Sequence, residues 1–287
     1  DRSNRARGPD GPAEVSPVKR VGVLPTLVTV ANGYCGLLAI YKMHDGHYAT
    51  AALLILLAMV FDLLDGKVAR MAGVTSKFGA YLDSLSDAIS FGVAPAFLVK
   101  AVVETELPGL AGGSMPKLYG PKMLTLATSV FAICALMRLA RYNVEHDASG
   151  EGSDKKGQGV SSFDGIPTPG AAGIVASLVF LAQDEQPLLN YSILYYVLPA
   201  ICAALGYLMI SRIPYEHFGS RFLQGRGDFR YLFVVFVVIA LVTRFPQEML
   251  AFGFLVYGLS GPITAPFRRR RARQEEEDES VKIPDGV

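Results

Sequence analysis

Long apolar runs alternate with short polar joints along the chain, and the runs have the length of membrane crossings. About 20 consecutive apolar residues span the hydrocarbon of a bilayer. Eight segments qualify by that measure, at 22–42, 48–68, 79–101, 122–143, 167–183, 191–211, 229–244 and 247–265. The last two are short and meet at Arg244-Phe245-Pro246-Gln247, which reads either as a tight external turn or as a break inside one re-entrant unit. An even number of crossings puts both termini on one side. Lysine and arginine accumulate in short cytoplasmic loops. With the N-terminus inside, the outer loops hold only Lys42, Lys100, Lys117, Lys122 and Arg244, and the other 22 of the 27 basic residues fall inside. The expected fold is an all-α integral membrane bundle of about eight transmembrane helices with both termini cytoplasmic.

The joints and ends complete the division of the chain. Residues 1–18 are rich in Gly, Pro and Arg, and residues 268–287 set Arg268 to Arg271 and Arg273 ahead of an acidic run, so both tails are expected to be disordered. The basic run fits a positive-inside anchor and also suits contact with anionic headgroups. Between the tails we expect a membrane core over 19–215 with about six helices, then a C-terminal pair of transmembrane helices over 216–267. Residues 145–165, with Gly150, Gly152, Gly157 and Gly159 among Ser, Asp and Lys, are expected to form a flexible cytoplasmic loop. Residues 1–18 lack the apolar core of a cleavable signal, which leaves the first apolar segment as the expected membrane address.

Composition agrees with this class: 51% of residues are hydrophobic, 18% are charged and the mean hydropathy is +0.33. The net charge of +1 conceals basic ends and a charge-depleted middle, and no nucleic-acid partner is expected. Cys35, Cys134 and Cys202 sit in apolar segments with no metal-ligand or disulfide spacing, and they read as small buried hydrophobes.

Charge inside the apolar runs is the exception that carries chemistry, because ionised groups at membrane depth are costly. Asp62 and Asp65 close the second segment three residues apart, and Asp83 and Asp87 open the third four apart, so each pair shares one helical face. A short connection makes the two helices antiparallel neighbours. Four carboxylates meeting at the inner end of such a pair repel one another unless cations lie between them. All-oxygen ligation without His or Cys points to a hard divalent ion, Mg²⁺ or Mn²⁺, with Ca²⁺ as a substitute or inhibitor. Gly66 and Ala69 follow on the same face as Asp62 and Asp65, and Gly79 lies on the facing helix; their missing side chains leave room for a nucleotide to approach, and they also permit close helix packing.

The eight positions Asp62, Asp65, Gly66, Ala69, Arg70, Gly79, Asp83 and Asp87 together match the signature of the CDP-alcohol phosphatidyltransferase family. Leu82 to Pro95, Arg138-Leu139-Ala140-Arg141-Tyr142-Asn143 and Phe163-Asp164-Gly165-Ile166-Pro167 resemble its phosphatidylserine synthase branch, so the similarity covers about residues 20 to 215. Pro25, Thr29 and Asn32 of the first segment also resemble the branch, whereas position 26 is Thr where Asn is common.

The resemblance implies a reaction and a set of roles. CDP-diacylglycerol donates a phosphatidyl group to L-serine, giving phosphatidylserine and CMP, with Mg²⁺ or Mn²⁺ as cofactor. Asp62, Asp65 and Asp83 hold the metal, and Asp87 adds a ligand and acts as general base on the alcohol. Gly66, Ala69, Arg70 and Gly79 lie on the nucleotide side, joined by Pro25, Thr29 and Asn32. Arg138 and Arg141, three apart, suit the serine carboxylate or a lipid phosphate, and positive-inside anchoring is the alternative account of them. The implied setting is a homodimer among membrane lipids in a bacterial or archaeal cytoplasmic membrane, with the site facing the cytoplasm. Rival readings are another acceptor, glycerol 3-phosphate or an inositol phosphate, and, from a different class, a cation transporter lined by the aspartates or an inactive scaffold.

Overall fold

A computed structural model describes residues 23–72, 77–107, 120–150, 163–184, 192–211, 213–215, 241 and 243–281. The described chain is helical: α1 (Val23–His44), α2 (Tyr48–Ala72), α3 (Lys77–Asp87), a π-helical turn (Ala88–Val93), α4 (Ala94–Glu106), α5 (Pro121–Gly150), α6 (Thr168–Ala182), α7 (Ser192–Ile210) and α8 (Pro246–Val281). The one extended element among these residues is a two-residue antiparallel bridge between β1 (Phe163–Asp164) and β2 (Pro214–Tyr215). Among the described residues, four helices are long and apolar enough to cross a membrane, over Tyr48–Val68, Phe78–Glu106, Pro121–Val144 and Ile193–Ile210, and α6 is a shorter apolar helix. Most of the expected seventh segment lies outside the described residues.

Local chemistry explains the joints. The α1–α2 hairpin turns on Gly46, whose φ of +79° suits a residue without Cβ. His47 N–H donates to the carbonyl of Lys42 at 2.8 Å and Gly46 N–H to that of Met43 at 3.1 Å, which caps the last carbonyls of α1 as a Schellman motif. Between α3 and α4 the rod continues without a break but widens into the π turn, where Ala94 N–H donates to the carbonyl of Ile89, five residues back. Pro95 follows at once; it has no N–H to donate, and the widening accommodates its ring. Ahead of α6, Gly165 has φ +88°, and a Cβ there would lie 2.4 Å from the carbonyl oxygen of Met209. Its N–H donates to the carbonyl of Ile213 at 2.9 Å, so the entry to α6 is stitched to the end of α7.

The core is organised around α6. Thr168 and every residue from Gly170 to Val179 are buried, the pattern of a helix enclosed on all sides. It packs against α2, α4, α7 and α8. Small residues on α6 admit its neighbours closely: Phe254 lies where a Cβ on Gly173 would be, and Gly258 of α8 receives Ile174. Outward, α1, α2, α5, α7 and α8 expose large apolar side chains, among them Leu27, Leu57, Ile133, Tyr207 and Leu259. These rows face lipid. All three cysteines are buried and unpaired.

Two expectations need correction. Residues 145–150 belong to α5 instead of a loop; the helix absorbs Glu145, His146 and Ala148 and stops at Gly150. Residues 268–281, expected in a disordered tail, continue α8 to Val281. Arg, Ala, Gln and Glu are all good helix formers, and the basic block preceding the acidic run places opposite charges four residues apart, as in Arg271 and Glu275.

Candidate active site

The four aspartates converge as their spacing requires. The end of α2 carries Asp62 and Asp65, α3 carries Asp83 and Asp87, and α1 packs against both helices to form a third wall. One carboxylate oxygen each from Asp62, Asp83 and Asp87 lies within 4.8 Å of the others. Asp65 and Asp87 are buried, and Asp62 and Asp83 are half-buried. Asp65 sits beside the trio and turns toward Asp83 and α1.

The wall formed by α1 holds two of these carboxylates in place. Thr29 Oγ1 donates to Asp65 Oδ2 at 3.1 Å, shared with the carbonyl of Pro25, and Asn32 Nδ2 donates to Asp87 Oδ1 at 2.8 Å. Ser90 Oγ, in the π turn, donates in return to the carbonyl of Asn32 at 2.9 Å. The close approach depends on two glycines of α1. A Cβ on Gly33 would lie 3.0 Å from Ser86 Oγ, and one on Gly36 would lie 2.8 Å from Ser90 Cα. Thr29 and Asn32, expected on the nucleotide side, are buried with their side chains bonded to aspartates.

The remaining candidates fall in different places. Gly66 is exposed, with open space where a Cβ would stand. Gly79 and Pro25 are half-buried. The side chains of Ala69 and Arg70 lie outside the described residues. Arg138 is half-buried on α5, where its Nη1 donates to Thr168 Oγ1 at 3.0 Å, and Arg141 is exposed almost one turn further on. Ser84 Oγ, one residue after Asp83, donates to Asn143 Oδ1 at 2.7 Å and ties α3 to α5.

The donor set can be tested against a hard divalent ion. Three converging carboxylates concentrate negative charge at membrane depth, where a cation between them offsets their repulsion. Asp83 Oδ1 is buried with no hydrogen-bond partner. A buried orphan acceptor inside an all-oxygen cluster fits Mg²⁺, Mn²⁺ or Ca²⁺ chemistry, and nothing soft is present to favour zinc. Gly33, Gly36, Ser86 and Ser90 were not singled out in the sequence; their only signal is small residues three and four apart on two segments, a pattern any packed membrane helix can show.

Known proteins resemble the chain in sequence. The chain is 29% identical over 255 residues to the CDP-diacylglycerol–serine O-phosphatidyltransferase of Helicobacter pylori, covering 85% of this chain and 92% of that one. It is 30% identical over 195 residues to the Bacillus subtilis protein of the same name, covering 68% and 90%, and 30% identical over 245 residues to that of Methanocaldococcus jannaschii, covering 84% and 95%. The family model described as CDP-alcohol phosphatidyltransferase matches residues 22–210, a stretch that contains all four aspartates and both helices that carry them. This chain belongs to the CDP-alcohol phosphatidyltransferase family.

Proposed function

We propose that this protein transfers the phosphatidyl group of CDP-diacylglycerol to the hydroxyl of L-serine, releasing CMP and forming phosphatidylserine. The observation that carries the reading is the cluster of Asp62, Asp83 and Asp87, with Asp87 held by Asn32 at 2.8 Å. The named acceptor of the similar proteins from Helicobacter, Bacillus and Methanocaldococcus supports serine.

Members of the family use a divalent metal, and the aspartate cluster suits one. Asp62, Asp65, Asp83 and Asp87 would hold Mg²⁺ or Mn²⁺, which would neutralise pyrophosphate charge and stabilise the departing CMP. Asp87 takes the hydroxyl proton as the serine oxygen attacks the phosphorus of the phosphatidyl group; the new P–O bond forms as the bond to CMP breaks. The Asn32 hydrogen bond fixes one oxygen of Asp87 and leaves the other to face the alcohol. Gly66, Ala69, Arg70 and Gly79 form the nucleotide side, where the open space at Gly66 supports a close approach. Arg138 and Arg141 are the candidates for the serine carboxylate or a lipid phosphate.

In this reading the chain crosses the membrane eight times with both termini in the cytoplasm, and the site would lie on the cytoplasmic face of a bacterial or archaeal membrane, where a soluble alcohol and a bilayer-held donor both arrive. A homodimer is the assembly implied by the family. The second reading keeps the chemistry and changes the acceptor to glycerol 3-phosphate or an inositol phosphate.

The test is CMP release from CDP-diacylglycerol by purified protein, with serine, glycerol 3-phosphate and inositol phosphate compared. Serine-dependent release is expected. Release that ignores serine and follows a phosphorylated acceptor would replace the first reading with the second.

A further inference from the structure

We infer that Asn143 of α5 is a positioning residue for the metal centre: by holding Ser84 it fixes the rotation of α3 and, with it, the directions of Asp83 and Asp87. The inference rests on the proposed role of those aspartates as metal ligands.

α3 has little apolar packing of its own. Of residues 78–87, only Ser86 and Asp87 are buried, while Phe78, Tyr81 and Leu85 are exposed. Apolar burial therefore does not set the rotation of this helix, and a few contacts at its inner end must do so. Successive residues turn by about 100° around a helix. On that wheel Phe78, Tyr81 and Leu85 share the face opposite Asp83 and Asp87. Ser84 stands about 60° from Asp87 on one side, and Ser86 stands about 60° from Asp83 on the other. The aspartate face is thus bracketed by two serines.

Each bracket meets a different neighbour. Ser86 packs on Gly33 of α1, where a Cβ would lie 3.0 Å from its Oγ, and Asn32 of the same helix donates to Asp87 at 2.8 Å. On the other side Ser84 Oγ donates to Asn143 Oδ1 at 2.7 Å. Contacts with α1 alone leave α3 free to roll on that surface, and the bond to α5 stops the roll. The support is firm. Arg138, on the same helix as Asn143, donates to Thr168 of α6 at 3.0 Å, and a Cβ on Gly206 of α7 would lie 3.1 Å from Phe131 Cα of α5. A roll of about 10° moves a carboxylate about 5–6 Å from the helix axis by about 1 Å. Metal–ligand distances tolerate about 0.2 Å.

Binding of Mn²⁺ to the purified protein in detergent, followed by the electron paramagnetic resonance of the free ion, reads the ligand geometry without turnover. Ser84→Ala and Asn143→Leu each remove one partner of the bond. The Kd for Mn²⁺ should rise about three- to tenfold in each, and the double variant should rise no further. Ser84→Thr keeps the hydroxyl and should stay within about twofold of the parent. Parent-like Mn²⁺ affinity in both single variants, independent effects in the double variant, or a Ser84→Thr protein as weak as Ser84→Ala overturns the inference. A raised KM for serine in Asn143→Leu that Ser84→Ala lacks also overturns it, because Asn143 would then touch substrate. The parent protein separates the two levels. If it binds no Mn²⁺, the metal reading falls, and the same variants compared in kcat for CMP release still decide the positioning, with independent effects again counting against Asn143.

Discussion

Replacing Gly36 by alanine should disable the site from a distance, through the contact between α1 and the π turn. The new Cβ would stand 2.5 Å from Ser90 Oγ, 2.8 Å from Ser90 Cα and 3.0 Å from Ser90 N. The hydroxyl can rotate away, but the backbone atoms cannot. Carbon atoms settle at about 3.5 Å or more, so α1 and the π turn must part by about 0.7 Å. Asn32 is one helical turn from Gly36 and donates to Asp87 at 2.8 Å. The same displacement stretches that bond to about 3.5 Å, the edge of hydrogen-bond range. Overpacking of this kind costs about 1–3 kcal/mol of stability, and misplacing a reacting group by up to 1 Å costs as much as about 100-fold in rate. We expect kcat for CMP release to fall about 10- to 100-fold in Gly36→Ala, measured on protein that elutes as the parent does in detergent. Gly253→Ala is the control, since a Cβ there meets nothing within 4 Å. A folded Gly36→Ala protein whose kcat stays within about twofold of the parent would refute the reasoning.

Two other outcomes follow from the site. Gly66→Ala adds a methyl group to open space, so thermal stability should hold or rise with the better helix propensity, worth up to about 1 kcal/mol. The KM for CDP-diacylglycerol should rise severalfold while that for serine does not, and equal effects on both would remove Gly66 from the nucleotide side. Chelation should abolish CMP release and lower the melting temperature, because the aspartates lose their counter-charge, and either Mg²⁺ or Mn²⁺ should restore both. Full activity in chelator would defeat a metal role for Asp62 and Asp83.

The aspartates were legible in the sequence because helical periodicity is a one-dimensional signal: spacings of three and four determine a shared face, and a short connection makes the helices neighbours. The partners of those aspartates were not. Asn32 is 55 residues from Asp87 and Thr29 is 36 from Asp65, and no local pattern says whether a polar side chain on α1 meets a substrate or a neighbouring helix. The π turn was equally hidden, since it reflects how Pro95 and the glycines of α1 are accommodated together. Helix ends were misread where composition imitates disorder. Gly150 and the charged run after Arg268 look like loop and tail, yet the first only terminates a helix and the second extends one.

The enclosure of α6 bears on the order in which the molecule is completed. α8 follows the four site aspartates and Arg138 in the chain, so the ribosome makes it after them. Until then the glycine-lined side of α6 has only lipid to cover Gly170 and Gly173, and acyl chains fill such a groove less well than Tyr257 and Phe254 do. A nascent chain thus acquires its carboxylates before the helix that covers the glycine-lined side of α6.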